Sequence, residues 1–409
     1  MPRFNSYHLH LPHLSIDTGR NMRLMFGLRV MRDLVGKFSF FFLPIFLFQL
    51  GQQVHWFDRY GWSTLQQGVL LIALFFLVTR VVVLLTAIPI GRLTIKFGYQ
   101  KSLVFGTALQ LLTFITLYYS DSQPLFVFPA MILEGIQLNF FWNSFHVVLS
   151  KSMLRSRVGQ DLSTIQFLLQ LIAVITPAIS GIVAVAFGLE SLFLFGIVGT
   201  LTGLLFAMGL EIGHEHDTIS WAELRNWLRE PSYRNVSISF IGRYFNDVVL
   251  FVWPLYVFLL LGSVEEVGFL YTLSLFLALI VTFFTGMYLA KQHNRKPFFL
   301  SGGLLSALWF VRTAVVGIWS IAIVDMLDKL TANFHWLYFD MQFMRRGKGS
   351  QALSYFVYRE MVMSMGAIVF WLLFAAIFLL LPLGWYTLFI VAAVGVLFSV
   401  LVQDNKDSE

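Results

Sequence analysis

Residues 139–146 read NFFWNSFH, and residues 333–340 read NFHWLYFD. Asn139, Phe140, Trp142 and Phe145 return at the same spacing as Asn333, Phe334, Trp336 and Phe339, 194 positions further on. If the recurrence marks a duplicated unit, other landmarks should repeat in the same order at similar offsets. Pro44 in FFFLPIFLF meets Pro254 in LFVWPLYVF. Gly91, Lys96 and Lys101 in GRLTIKFGYQK meet Gly286, Lys291 and Lys296 in GMYLAKQHNRK. Gln160, Leu162 and Ser163 meet Gln351, Leu353 and Ser354. Each match alone lies within chance for an aromatic-rich chain; their shared order carries the inference.

What was duplicated follows from composition. Of 409 residues 58% are hydrophobic and 12% charged, against roughly 25% charged in a soluble domain. Runs such as SLVFGTALQLLTFITLYY and GWYTLFIVAAVGVLFSVLV approach the length of about 20 residues that crosses a bilayer as helix. The alternating pattern of a membrane barrel is absent. Taken in order, the runs predict spans at 28–50, 65–90, 102–120, 124–149, 160–187 and 190–211. After the polar stretch GHEHDTISWAELRNWLREPSYRN they resume at 236–261, 265–289, 297–317, 318–342, 352–382 and 384–402, with only Gly317 between the ninth and tenth. The expectation is an all-α polytopic membrane protein of twelve transmembrane helices in two pseudo-symmetric six-helix bundles. Its parts are a tail (1–27), a first bundle (28–211), a linker (212–235), a second bundle (236–402) and a closing tail (403–409).

Basic residues orient it. With the N-terminus in the cytoplasm, 22 of the 28 Lys and Arg fall on the cytoplasmic side, among them Arg20, Arg23, Arg29, Arg32 and Lys37 near the start of span 1, and the external loops keep Arg59. That is the positive-inside bias, so both termini are expected inside and the formal charge of +6 needs no nucleic-acid partner. The chain has no cysteine, which excludes disulfides, thiolate metal sites and a cysteine nucleophile. The first 21 residues hold no apolar core of the kind a cleavable signal peptide carries. His8, His10 and His13 lack a carboxylate or cysteine nearby and read as a solvated tail, so no metal or cofactor is expected. The stretch SWAELRNWLREPSYRN puts Trp221, Leu224, Trp227 and Leu228 on one face and reads as an interfacial linker helix.

Two parallel six-helix halves joined by a cytoplasmic linker resemble the major facilitator superfamily over nearly the whole chain. That family's loop between spans 2 and 3 is matched by Gly91, Lys96, Gly98 and Lys101, with Ile95 at the acidic position; the second copy keeps Gly286, Lys291, Arg295 and Lys296, with Ala290 and His293 in place of the acid and second glycine. The resemblance implies that these residues belong to a gating loop whose acid helps lock the cytoplasmic side, an acid that both copies lack. Pro177 and Gly181 in TPAISG are similar to the family's antiporter motif, and read equally as a kink or close packing site.

Charges inside spans are costly unless they face a cavity or a partner. In the resembled fold spans 1, 4, 7 and 10 line the central cavity. Here span 4 holds Glu134, span 7 holds Arg243 and Asp247, and span 10 holds Asp325, Asp328 and Lys329. Arg359 and Glu360 sit on span 11; Arg80 and Arg312 either snorkel toward an interface or function inside. Asp325, Asp328, Lys329, Ala332, Asn333, Trp336 and Asp340 form one helical stripe in which Asp325 and Lys329 are spaced to pair. Asn139 and Asn333 suit interhelical packing and ligand contact equally, while Trp142 and Trp336 suit a belt or gate. Asp247 has Arg243, and Asp325 has Lys329, one turn away. Glu134 has no cation on its own helix, so desolvation favours its neutral form unless Arg80 or Lys329 reaches it across the cavity.

These features fit a non-enzymatic secondary transporter of the cytoplasmic membrane, expected to be monomeric, to contact only lipid, protons and a small polar or zwitterionic solute, and to couple transport to protons through Glu134, Asp247 and Asp325. Arg243, Asp328, Lys329, Asn139, Asn333 and Trp336 are the expected cavity residues. A multi-pass acyl- or glycosyltransferase is the rival class, with His146 and His335 near the membrane, and an uncoupled sensor or lipid scramblase the third. No phosphate loop or His–Cys metal set supports an enzyme.

Overall fold

The computed structural model describes residues 20–152, 158–212, 217–289, 296–347, 351–380 and 384–402; side chains at 158–167, 232, 278 and 280–289 lie outside the description. It is helical throughout. In chain order we label α1 (Arg20–Gln53, with a π-helical stretch Gly36–Phe40 inside it), α2 (Thr64–Phe97), α3 (Tyr99–Ser120), α4 (Val127–Ser152), α5 (Val158–Phe187) and α6 (Ser191–Met208). Then come a short α7 (Trp221–Arg229), α8 (Pro231–Leu261), α9 (Val264–Leu289), α10 (Lys296–Val311), α11 (Ile318–Arg346), α12 (Ala352–Leu380) and α13 (Gly384–Ser399). Eight of these regions are by themselves long and apolar enough to cross a membrane. α10 and α13 have 16 residues each, and α11 carries two acids and a lysine in its first half.

Local chemistry sets the ends. Ser63 and Gln66 form a reciprocal capping box at the start of α2, which satisfies donors the first turn cannot. α2 runs into α3 through Gly98, whose φ of 89° strains any side chain. The boundary expected at Gly317 alone is a longer break: a 3-10 turn Arg312–Ala314, then extended backbone to Gly317. α1 starts well before residue 28, so Arg20, Arg23 and the charges after them belong to the helix. α7 forms where amphipathicity predicts it, with Leu224 and Trp227 buried, Leu228 partly so, and Trp221 exposed.

Within the first six helices, α4 packs between α2 and α3, and α1 and α3 both pack on α6; within the last six, α8 packs on α12 and α13, and α10 on α11 and α13. The two sets meet chiefly where α5 lies along α9 and α2 along α12. At the α5–α9 seam, a Cβ on Gly268 would stand 2.4 Å from the Pro177 carbonyl oxygen, and one on Gly181 3.3 Å from that of Val264. Pro177 and Gly181 are therefore a close-packing site. We call the end bearing α7 the linker end and the opposite one the far end.

Gly135 lets α4 approach α2: a Cβ there would lie 2.7 Å from the Thr79 carbonyl oxygen and from Val82 Cβ, whereas Gly303 has open space around it. Gly135→Val is expected to destabilise the detergent-solubilised protein by about 1–3 kcal/mol, seen as a lower thermal midpoint, while Gly303→Ala leaves the midpoint equal or slightly higher.

Candidate functional site

Four charged residues stand near the middle of four helices: Lys37 on α1, Arg80 on α2, Asp247 on α8 and Lys329 on α11. The Asp247 side chain is 46% exposed, that of Lys37 35% and that of Lys329 27%. At that depth in a membrane chain, such exposure is tolerable only toward water held between helices. Lys37 Nζ lies 2.6 Å from Asp33 Oδ2 and donates to the Leu169 carbonyl at 3.1 Å. The next residue, Gln170, donates to Asn333 Oδ1 at 2.5 Å, and Asn333 is one turn from Lys329. Lys329 is close enough to Lys37 for the two ammonium groups to interact electrostatically. Lys37, Gln170, Asn333 and Lys329 thus gather where α1, α5 and α11 meet.

Arg243 joins α8 to α11. It reaches Asp247 at 3.3 Å and is ion-paired to Asp340, with its guanidinium over Trp336 at 5.2 Å. The pairing of Asp247 with Arg243 follows the helical spacing. The expected pairing of Asp325 with Lys329 does not form. Arg312, at the break before α11, sets one nitrogen 3.3 Å from Asp325 Oδ1 and another 3.3 Å from Asp328 Oδ1. Trp253 donates to Asp325 at 3.2 Å, and the guanidinium lies 4.1 Å from the Trp309 ring centroid. The planar fork of arginine suits two carboxylates at once; Lys329, on the open side, is left 3.8 Å from Asp328. Arg312 is fully buried and does not snorkel. The α11 stripe therefore divides into a dry part, Asp325 and Asp328, and a wet part, Lys329, Asn333, Trp336 and Asp340.

Arg80 also turns inward, pairing with Glu360 of α12 at 2.9 Å and stacking over Tyr244 of α8 at 4.8 Å. Asn139 donates to the Val83 carbonyl at 2.8 Å and to Thr86 at 2.9 Å, so it fixes α4 to α2. Glu134 is buried and has no ion pair among the described residues, and its Oε2 has no hydrogen-bond partner. Its polar neighbours are Gln137 and the Arg32 guanidinium, which bonds Gln110 and Gln137 at 2.5 Å each. Arg32 and Lys37, expected as cytoplasmic anchors, are interior. They are the site residues that sequence reasoning missed, because a basic residue near a span's start carries the same signal as an interfacial anchor. His335 bonds Ser301 and Ser399 and stacks on Phe298, tying α10, α11 and α13 together.

The two ends differ. At the linker end Ser150 of α4 donates to the Gly347 carbonyl at 3.2 Å, and His146 lies among the rings of Trp142, Phe343 and Phe356. Trp142 is inside this closure, with Arg29 4.9 Å over its ring. At the far end a cavity of about 500 Å³ opens between Phe46, Gln49, Gln53, Leu189, Phe258 and Ser263. Its lining includes none of the mid-helix charges. Of the residues expected to form a gating loop, Gly91 packs on Ile219, Lys96 and Lys101 are exposed, and Ile95 packs on the core. Gly286 lies where side chains are not described, Lys291 and His8, His10 and His13 lie outside the described residues, and Lys296 opens α10.

A multi-pass helical protein with wet charges at mid-depth, shut at one end and hollow at the other, has the form of a membrane transporter. The family model for the Major Facilitator Superfamily matches residues 26–228, the first six helices and the linker. Over 94% of this chain and 99% of the other, the fold is similar to that of the human organic anion transporter MFSD10 (TETRAN), with a TM-score of 0.68 and 12% identity. No curated protein sequence matches the chain. The chain belongs to the major facilitator superfamily.

Breaking one partner of a buried ion pair costs about 3–5 kcal/mol. Arg312→Leu is thus expected to lower the thermal midpoint steeply and Lys329→Leu little. In double-mutant cycles with Asp325→Asn, a coupling of about 1–3 kcal/mol is expected for Arg312 and close to none for Lys329; the opposite ranking would restore the intrahelical pair.

Proposed function

We propose that the protein is a secondary active transporter of a cytoplasmic membrane, moving a small organic solute by alternating access between two six-helix halves, residues 28–211 and 236–402. The observation that carries this reading is the layer of water-open charges between a closed linker end and an open far end. Twelve of the helices span the membrane on this reading, the linker end and both termini face the cytoplasm, and a single copy of the chain suffices. The solute is polar and carries an anionic group, alone or as a zwitterion. Lys37 and Lys329 are near enough for their charges to interact, and an anion bound near both relieves their repulsion. The organic anions named for MFSD10 are the first class to test.

Proton coupling is assigned to Glu134. Asp247 is paired with Arg243 and Asp325 with Arg312, each at 3.3 Å. Glu134 has no ion pair among the described residues: the Arg32 guanidinium beside it bonds Gln110 and Gln137, and Arg80 is engaged by Glu360. A carboxyl in that position gains or loses its proton as water reaches it, and its charge then biases which end is open.

A panel of carboxylates and zwitterions is screened first for a solute that raises the melting temperature, as any ligand selective for the folded state must. In proteoliposomes Glu134→Gln is then expected to abolish uphill accumulation of that solute driven by a pH gradient while sparing exchange at equal pH. Accumulation by the mutant against a gradient would move coupling to another residue.

A further inference from the structure

The segment between α6 and α8 reads in sequence as a passive linker, yet it is bonded to helices of both sets at the linker end. Arg92 of α2 donates Nε to the Ile219 carbonyl at 3.1 Å, and a Cβ on Gly91 would stand 2.7 Å from Ile219 Cδ1. Two residues before, Asp217 Oδ2 accepts the backbone N–H of Ser354 at 3.0 Å, in the first turn of α12. Three residues after Asp217, Ser220 caps α7 through the Glu223 N–H at 3.2 Å, and its own N–H donates to the Tyr358 hydroxyl of α12 at 3.1 Å. That hydroxyl donates to Glu223 Oε2 at 2.7 Å. Residues 217–223 therefore hold together α2 and α12 at the linker end, one of the two helix pairs at which the sets meet.

The first N–H groups of a helix lack partners within it and carry the positive end of its dipole, so a carboxylate there is held by charge as well as by hydrogen bonding. Burial pushes the Asp217 carboxyl above the ordinary range, and the N–H groups of Ser354, Thr218 and Leu353 pull it back. The neighbouring loop between α2 and α3 offers no competing acid, since position 95 is an isoleucine packed on the core. The contact also lies beside the closure formed by Ser150, Gly347, His146 and Phe356.

We propose that the 217–223 segment is the lock of the linker end, with Asp217 as a positioning residue whose contact with the α12 N-terminus holds that end shut while the far end is open. This rests on the alternating-access reading. The lock must break whenever the linker end opens, so weakening it shifts the resting population toward a linker-open form and closes the far cavity.

Because the chain has no cysteine, one introduced thiol reports on one place. Ser150→Cys reads the linker end and Gln49→Cys the far cavity, each labelled with a water-soluble maleimide on the purified full-length protein in nanodiscs. Adding Asp217→Asn is expected to raise labelling at 150 about ten-fold, the scale of one charge-assisted hydrogen bond, and to lower it at 49, with Asp217→Glu restoring the original rates. Phe343→Ala, which removes a ring from the closure itself, serves as reference. If it moves the two reporters in opposite directions while Asp217→Asn moves neither, the lock is disproved and alternating access stands. If Asp217→Asn raises both rates, the residue is structural and the lock is again disproved. If neither variant produces opposite changes, alternating access fails and the lock with it.

Discussion

The Arg80–Glu360 pair joins α2 to α12 at 2.9 Å, and it illustrates the constraint on which the rest of the structure depends. A charge within the hydrocarbon layer must be paired or wetted, because leaving it bare costs more than the folded state has to spare. Asp325 and Asp328 meet this constraint by sharing Arg312 in a dry pocket beneath Trp253 and Trp309. Lys37, Asp247 and Lys329 each keep one opposite charge within 4 Å and also open toward water. The partition between these two solutions separates the part of the polar interior that holds helices together from the part that can meet a solute.

The same division gives the halves different freedoms. α10, α11 and α13 are tied by the Arg312 cluster and by His335 between Ser301 and Ser399, and α2 and α4 by Asn139. Each set is internally braced by buried hydrogen bonds that are costly to break. The contacts between sets among the described residues are of another kind: close glycine packing at the α5–α9 seam, the Arg80–Glu360 ion pair and the Gln170–Asn333 hydrogen bond at mid-depth, and small polar contacts at the linker end. Bodies braced inside and joined along two long helix seams are suited to rocking against one another about those seams.

Much of this was legible in the residues. Length and composition located the long helices from their apolar runs, though α1 starts at Arg20 where 28 was expected and α2 ends at Phe97 where 90 was expected. The recurrence of Asn-Phe-Trp pointed to the α4–α11 correspondence, and helical spacing gave the Arg243–Asp247 pair. What sequence could not supply was the partner across space. Arg312 lies 13 and 16 positions from its acids in a helix break, so no spacing rule connects them. Arg32 and Lys37 carry the same code as surface anchors. Asn139 and Asn333, equivalent in sequence, face a neighbouring helix in one case and the α5 glutamine Gln170 in the other. Nor could spacing show that Asp217 ends against the first turn of α12.

Electron–electron distance measurements on pairs of spin labels test alternating access most directly, again helped by the absence of native cysteines. One pair spans the far end, at Gln53 and Ser263; the other spans the linker end, at Ser152 and Arg346. The account predicts two populations for each pair, with acidification or added solute shortening one distance as it lengthens the other. Distances that stay fixed, or that lengthen together, would contradict it.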